Sequence, residues 1–275
     1  MVDSMSSEQE NGGISAFLLS RAELQAILTL ADISIFPGFS PDDPIGELTP
    51  EQEAYGIICG ERALRARGLA FINDEGELRI QNELLEAIGV CAYALNMLVV
   101  THLSTEQSVG RQYIVFHLDE HYVSQFQPDD VLYLFTIYEQ RMLVAEEICR
   151  PCPAVTRGSA ESFTLSESLL TQLREELADG ASKAERLLQQ NGVEEPLGRA
   201  FLSFLQKPHE LIILQSAQRL DADSLELQTT SVLYDESALW IVNEQDVVAK
   251  DQEKQFVIFQ ASASIAAKLI YEMHW

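Results

Sequence analysis

Two short clusters hold the residue types best suited to chemistry. Cys149-Arg-Pro-Cys152 has the spacing of a dithiol redox site and of half a four-thiolate zinc site. A redox site needs its leading thiol at a helix N-terminus, where the dipole and free N–H groups favour the thiolate. "LVAEEI" reads as the end of a helix, so Cys149 stands at the disfavoured end. A zinc site needs a second pair, and Cys59 and Cys91 lie apart in separate apolar helical patterns. The second cluster is His117-Leu-Asp-Glu120-His121, the H-x-x-E-H order of inverted zinc peptidases. That chemistry needs both imidazoles one turn apart on a helix, with the glutamate as general base. The flanks "YIVF" and "YVSQF" are strand sequence, which predicts a hairpin with His117 and His121 near each other across the strands.

The expectation is therefore no catalytic, cofactor-binding or metal site. The alternatives are a zinc-dependent hydrolase using His117, Glu120 and His121, and a thiol redox protein using Cys149 and Cys152. His102, His209 and His274 are isolated, and no phosphate loop, dinucleotide fingerprint or nucleophile elbow is present. The segment "IFPGFSPDDPIGELTP" (35–50) sets Phe36 and Phe39 among prolines and glycine. Aromatics on a stiff loop can anchor a protein partner, which makes these two the protein-binding candidates. The competing reading folds both back as a lid over the first helix.

The elements around these clusters follow one plan twice. "FLLSRAELQAIL" (17–28) compares with "FTLSESLLTQLREEL" (163–177), each an aromatic, a leucine and a serine ahead of a helix. Ser20 with Glu23, and Thr164 with Glu167, are expected capping boxes, and Leu19 with Leu24 a staple. Two helices giving way to extended apolar runs match next, then two strand–acidic turn–strand units (113–126 and 231–242). Strand–helix closures (131–148 and 256–273) match last. Between them, Thr49, Pro50 and Gln52 open a helix that ends near Gly68, and Asp74-Glu75-Gly76 turns a short strand pair. A further helix is expected from a cap near Asn82. The fold class expected is α+β, with a pseudo-two-fold internal duplication. Residues 1–14 form a disordered lead, 15–150 the first repeat, 151–162 a linker and 163–275 the second repeat, the two repeats sharing one sheet.

The net charge is −25 over 275 residues, and both halves are acidic. Such a surface repels phosphate backbones and anionic lipid. No apolar run reaches the roughly 18 residues that span a bilayer. The polar N-terminus lacks the pattern of a secretory signal. Four cysteines without a framework spacing fit a reducing cytoplasm.

The arrangement resembles the EspG family, the cytosolic chaperones of mycobacterial type VII (ESX) secretion. The resemblance is carried by "LSRAELQAIL" and "RALRARGLAFINDEGELR" in the first half. In the second it is carried by "VAEEICRPCPA", "SFTLSESLLTQL", "LLQQNGVEEPLGRAFLSFL" and the closing "FVIFQASASIAAKLIYEM". It spans residues 15 to 273. It implies an antiparallel sheet flanked by two helical bundles, no catalysis and no cofactor. It also implies a protein partner, a helical secretion substrate bound in the cytosol. Monomer or homodimer, without nucleic acid or membrane insertion, completes the expectation.

Overall fold

The computed structural model describes residues 14–39, 46, 48–105, 110–154, 161–219, 225–245 and 253–275. The expected lead lies outside these residues except for Ile14, which opens the first strand. The fold is α+β. Among the described residues ten strands form one sheet and two form another. The chain divides into two compact units, Met1–Ala94 with Phe116–Arg141, and Leu95–Val115 with Met142–Trp275.

The first half begins with strand β1 (Ile14–Ser20), which runs straight into helix α1 (Arg21–Leu30). Ser20 ends one element and caps the next. Its hydroxyl accepts from Glu23 N, and the Glu23 carboxylate accepts from Ser20 N at 2.8 Å, so the capping box is closed. Both proposed staple residues, Leu19 and Leu24, are fully buried. Helix α2 (Pro50–Ala66) starts with a second box, Thr49 and Gln52, and with Pro50 in its first turn. Gly68 ends it at φ +73°. The Gly68 N–H reaches the Arg65 carbonyl and the Leu69 N–H the Leu64 carbonyl, the paired bonds of a Schellman end. A hairpin follows, β2 (Ala70–Ile72) with β3 (Leu78–Ile80), its turn held by the Asn73 side chain accepting from Glu75 N and Glu77 N.

Helix α3 (Asn82–Tyr93) begins where expected but has no side-chain cap. Strands β4 (Asn96–Ser104), β5 (Arg111–Leu118), β6 (His121–Asp129) and β7 (Leu132–Tyr138) lead to helix α4 (Arg141–Cys149). The second half runs β8 (Ser162–Ser166), α5 (Glu167–Asp179), α6 (Ala181–Gln190) and α7 (Glu195–Leu205). It continues through β9 (Glu210–Arg219), β10 (Leu225–Tyr234), β11 (Leu239–Gln245), β12 (Gln255–Gln260) and α8 (Ala263–Glu272).

The ten-stranded order is β1-β7-β6-β5-β4-β9-β10-β11-β12-β8. In each half the opening strand pairs antiparallel with the last one, Ser20 with Leu132 and Ser166 with Gln255. These opening strands are the main departure from the sequence expectation, which took "FLLS" and "FTLS" only as helix lead-ins. The expected Thr164–Glu167 box is corrected for the same reason. Sheet pairing to β12 holds Thr164 inside β8, and Ser166 caps α5 instead, accepting from Leu169 N.

The core of the second unit joins the inner faces of α5, α6 and α7 to the sheet. Leu173, Leu188 and Phe201 pack with Phe163, Trp240 and Ile258. Phe201 is the hub, its ring centroid 5.0 Å from Trp240 and 5.6 Å from Phe163. Burying aromatic side chains of this size is the dominant favourable term for such a layer.

Candidate functional site

The structure places the H-x-x-E-H cluster on the β5–β6 hairpin. Asp119 and Glu120 form its two-residue turn, Asp119 with φ 54°. A turn of that length sets residue 117 opposite 122. His117 accordingly stacks on Tyr122, ring centroids 4.6 Å apart, and its Nε2 lies 2.7 Å from the Asp119 carbonyl oxygen. His121 is committed elsewhere, its Nδ1 2.7 Å from Glu86 Oε1 on α3. The hairpin is as the flanks predicted, but each imidazole has its own local partner. Among the described residues no three His, Cys, Asp or Glu side chains gather as a metal-holding group.

Cys149 is the buried last residue of α4, and Cys152 is half-buried in the turn that follows. The Cys152 N–H donates to the Cys149 carbonyl at 2.9 Å, closing that turn. The two thiols are free and hydrogen-bond each other. The bond to Cys152, then burial, pushes the Cys149 thiol well up, and the same bond pulls Cys152 down. The direction at Cys149 is the one its position suggested; the cause is the partner thiol rather than the helix end.

Phe36 and Phe39 fold back onto the sheet. Phe36 is 6% exposed and meets Phe135 edge-on at 6.2 Å. Phe39 is half-buried, 5.9 Å from Tyr133, with the Arg21 guanidinium 4.5 Å over its ring. The loop folds back as the competing reading had it, but its rings rest on β7, with α1 reached only through Arg21. The side chain turned outward is Ile35, 83% exposed, which composition did not distinguish from its neighbours.

A cleft of about 610 Å³ opens in the second unit. Its walls are Pro151 and Pro153 beyond α4, Pro208 and His209 before β9, and Tyr234 and Ser237 around the β10–β11 turn. Backbone bonds make this rim rigid. Thr105 and His209 clasp each other, the Thr105 hydroxyl accepting from His209 N and donating to His209 O, both at 2.9 Å. The His209 ring lies 5.1 Å from Phe204, and its Nδ1 is 2.8 Å from the Lys207 carbonyl oxygen. Asp235 Oδ1 accepts from Ser237 N, Ser237 Oγ and Ala238 N. Burial pushes the Asp235 carboxyl up, but these bonds together hold it below the usual range. Burial, then the neighbouring Cys152 and Glu210, push the Tyr234 phenol up to about 12. The carboxylate is committed to its own turn and the phenol stays protonated near neutrality. The cleft thus presents prolines, an aromatic edge and fixed dipoles, a lining suited to gripping a surface. Prolines and a His-Glu pair in the sequence gave no sign of it, because its walls come from four separate chain segments.

These features define an α+β fold with a cleft in its second unit. No protein-family model matches the chain, and no curated protein matches it in sequence. A solved structure does match in fold: the Mycobacterium tuberculosis type VII secretion system chaperone EspG5, in complex with a PE25–PPE41 dimer. The TM-score is 0.62 with 10% sequence identity, over 93% of this chain and 94% of that one. The EspG-like relationship expected from the sequence thus holds, distantly, at the level of the fold. Among the described residues no helix is long and apolar enough to cross a membrane.

Proposed function

We propose that this chain is a non-enzymatic, cytoplasmic chaperone or adaptor that binds a helical segment of a client protein and keeps it soluble until it is handed on. The observation that carries this reading is the fold likeness over nearly the whole of both chains to a chaperone solved with a protein dimer bound. The cleft supports it, since prolines and Tyr234 line it, His209 and Asp235 are tied into local bonds, and Lys207, Glu210 and Glu236 set charges of both signs along its walls. A helix laid into such a groove would use apolar anchors at intervals of three and four residues. The domain plan belongs to this reading: repeats at 15–150 and 163–275, joined by 151–162, both running strand, helices, four strands, helix, with the β2–β3 hairpin set among the helices of the first alone.

The test is co-expression with candidate helical secreted proteins of the host, followed by size exclusion with light scattering. A defined complex of one chaperone chain per client, lost on charge insertion at Pro208 (Pro208→Glu), supports the proposal. A client that elutes alone in every case, beside a folded chain, refutes it.

A further inference from the structure

Helix α2 presents two apolar faces, and the fold uses one. Ile57, Gly60 and Leu64 lie together at 100° per residue, and Gly60 and Leu64 are the residues of α2 that are buried. Tyr55, Ile58, Arg62 and Arg65 recur at steps of three and four on the opposite side. Tyr55 is 65% exposed and Ile58 is exposed too. The stripe continues onto β2, where Phe71 is 54% exposed beside exposed Ile72. Between helix and strand lies an open groove of about 490 Å³ walled by Arg62, Arg65, Ala66, Ala70, Phe71 and Ile72. No carboxylate lines it. Arg65 makes one loose contact, 3.6 Å to Glu61 within the helix, and Arg62 has no ion pair or side-chain hydrogen bond among the described residues.

The charge of this groove is opposite to that of the molecule. With 43 acidic residues against 18 basic ones, a groove whose described walls hold two arginines and no acid stands out, with Glu61 beside Arg65 as its neighbouring carboxylate. Arginine is the side chain that grips a carboxylate with two parallel bonds, and it stacks well beside aromatic rings. Exposed apolar groups rimmed by such cations mark an interaction surface rather than a solvated face.

We propose that the α2–β2 groove docks an acidic segment of another protein, its carboxylates on Arg62 and Arg65 and its apolar side chains against Phe71, Ile72, Ile58 and Tyr55. This surface lies wholly in the first unit and does not depend on the cleft of the second. A chain of net charge −25 attracts basic peptides everywhere and repels acidic ones. Saturable binding of an acidic peptide therefore has to come from a local site.

The experiment is fluorescence anisotropy on the full chain with a short labelled peptide alternating glutamate and leucine. A peptide with lysine in place of glutamate serves as the control. The acidic peptide is expected to saturate, and Arg62→Glu with Arg65→Glu to weaken it by at least about tenfold, as loss of close charge pairs does. Phe71→Ala, which leaves the charges in place, should weaken it severalfold. Both sets of residues are exposed, and circular dichroism is the check that the variants stay folded. Failure of the acidic peptide to saturate, or equal binding by the charge-reversed variant, overturns the proposal. Self-association of the chain alone, abolished by the same charge reversal, would make the occupant a second copy and also overturn it. The client test uses Pro208 in the other unit, so either result stands without the other.

Discussion

Cys152 is expected to react before Cys91 and Cys149. Its neighbour's hydrogen bond favours the Cys152 thiolate, whereas burial pushes Cys91 far up and the partner thiol and burial do the same to Cys149. Iodoacetamide labelling near neutral pH, mapped by peptide mass, should show Cys152 modified before Cys91 and Cys149; Cys149 reacting first would contradict the hydrogen-bond direction. His102 gives a second residue-level prediction. It stacks on Tyr113 at 5.8 Å, and burial, then Arg111, push its pKa below the ordinary 6.5, with Glu210 pulling the other way. A depressed histidine stabilises the fold above its unfolded pKa, and that contribution is lost as pH falls through the folded value. A proton NMR titration should place the His102 midpoint below 6.5, and His102→Gln should lose less stability than the parent chain on acidification through that range. Features whose partners lie within three or four residues were legible in the sequence. The Ser20 and Thr49 boxes and the Gly68 helix end were of this kind. The fates of Phe36, His117 and His121 depended on Phe135, Tyr122 and Glu86, and only the hairpin could be anticipated.

Gly60 sets how closely two elements approach. A Cβ there would lie 2.1 Å from the Ala22 carbonyl oxygen, so α1 and α2 touch through backbone alone. Gly60→Ala must part the helices, and the expected loss is about 2 kcal/mol, the scale of overpacking a well-filled contact. Gly56 on the same helix meets nothing within 4 Å, which makes Gly56→Ala a control expected to be neutral or slightly stabilising. Urea midpoints of the two variants separate the cases. Nothing in "YGIICGERAL" distinguishes these glycines, since the difference is made by a helix that begins nearly forty residues upstream. The opening strands were missed on similar grounds. β8 has five residues, and its partner β12 is more than eighty positions away, beyond any local pattern. Helices α1, α2 and α3, the β5–β6 and β10–β11 hairpins and the closing strand–helix units were read because their pattern is internal, whereas α6 was not called.

At the scale of the molecule the excess of acids is a standing repulsion. The ion pairs that face it, such as Lys183 with Asp179 and Arg199 with Glu185, lie on the surface, where each contributes little. Monovalent salt raised from low to physiological strength should therefore stabilise the chain, by about 1 kcal/mol or less, as screening removes the repulsion faster than it weakens the pairs. A denaturation midpoint that falls with added salt would show that the pairs dominate. The fold class followed from the string. The cleft did not, because its walls come from segments that the sequence keeps apart. The cationic groove lies within residues 62–72, but the string does not show which sides of α2 and β2 stay uncovered.

The pairing of each opening strand with the last strand of its half also sets a timetable. Ser20 leaves the ribosome long before Leu132, and Ser166 before Gln255. At about 5–20 residues per second, β1 waits several seconds for its partner. A local hairpin such as β2–β3 needs only about 1–10 microseconds. During that interval Leu18 and Leu19 are carried on a strand with no ladder to join. While being made, the chain is itself one with an exposed segment to shelter.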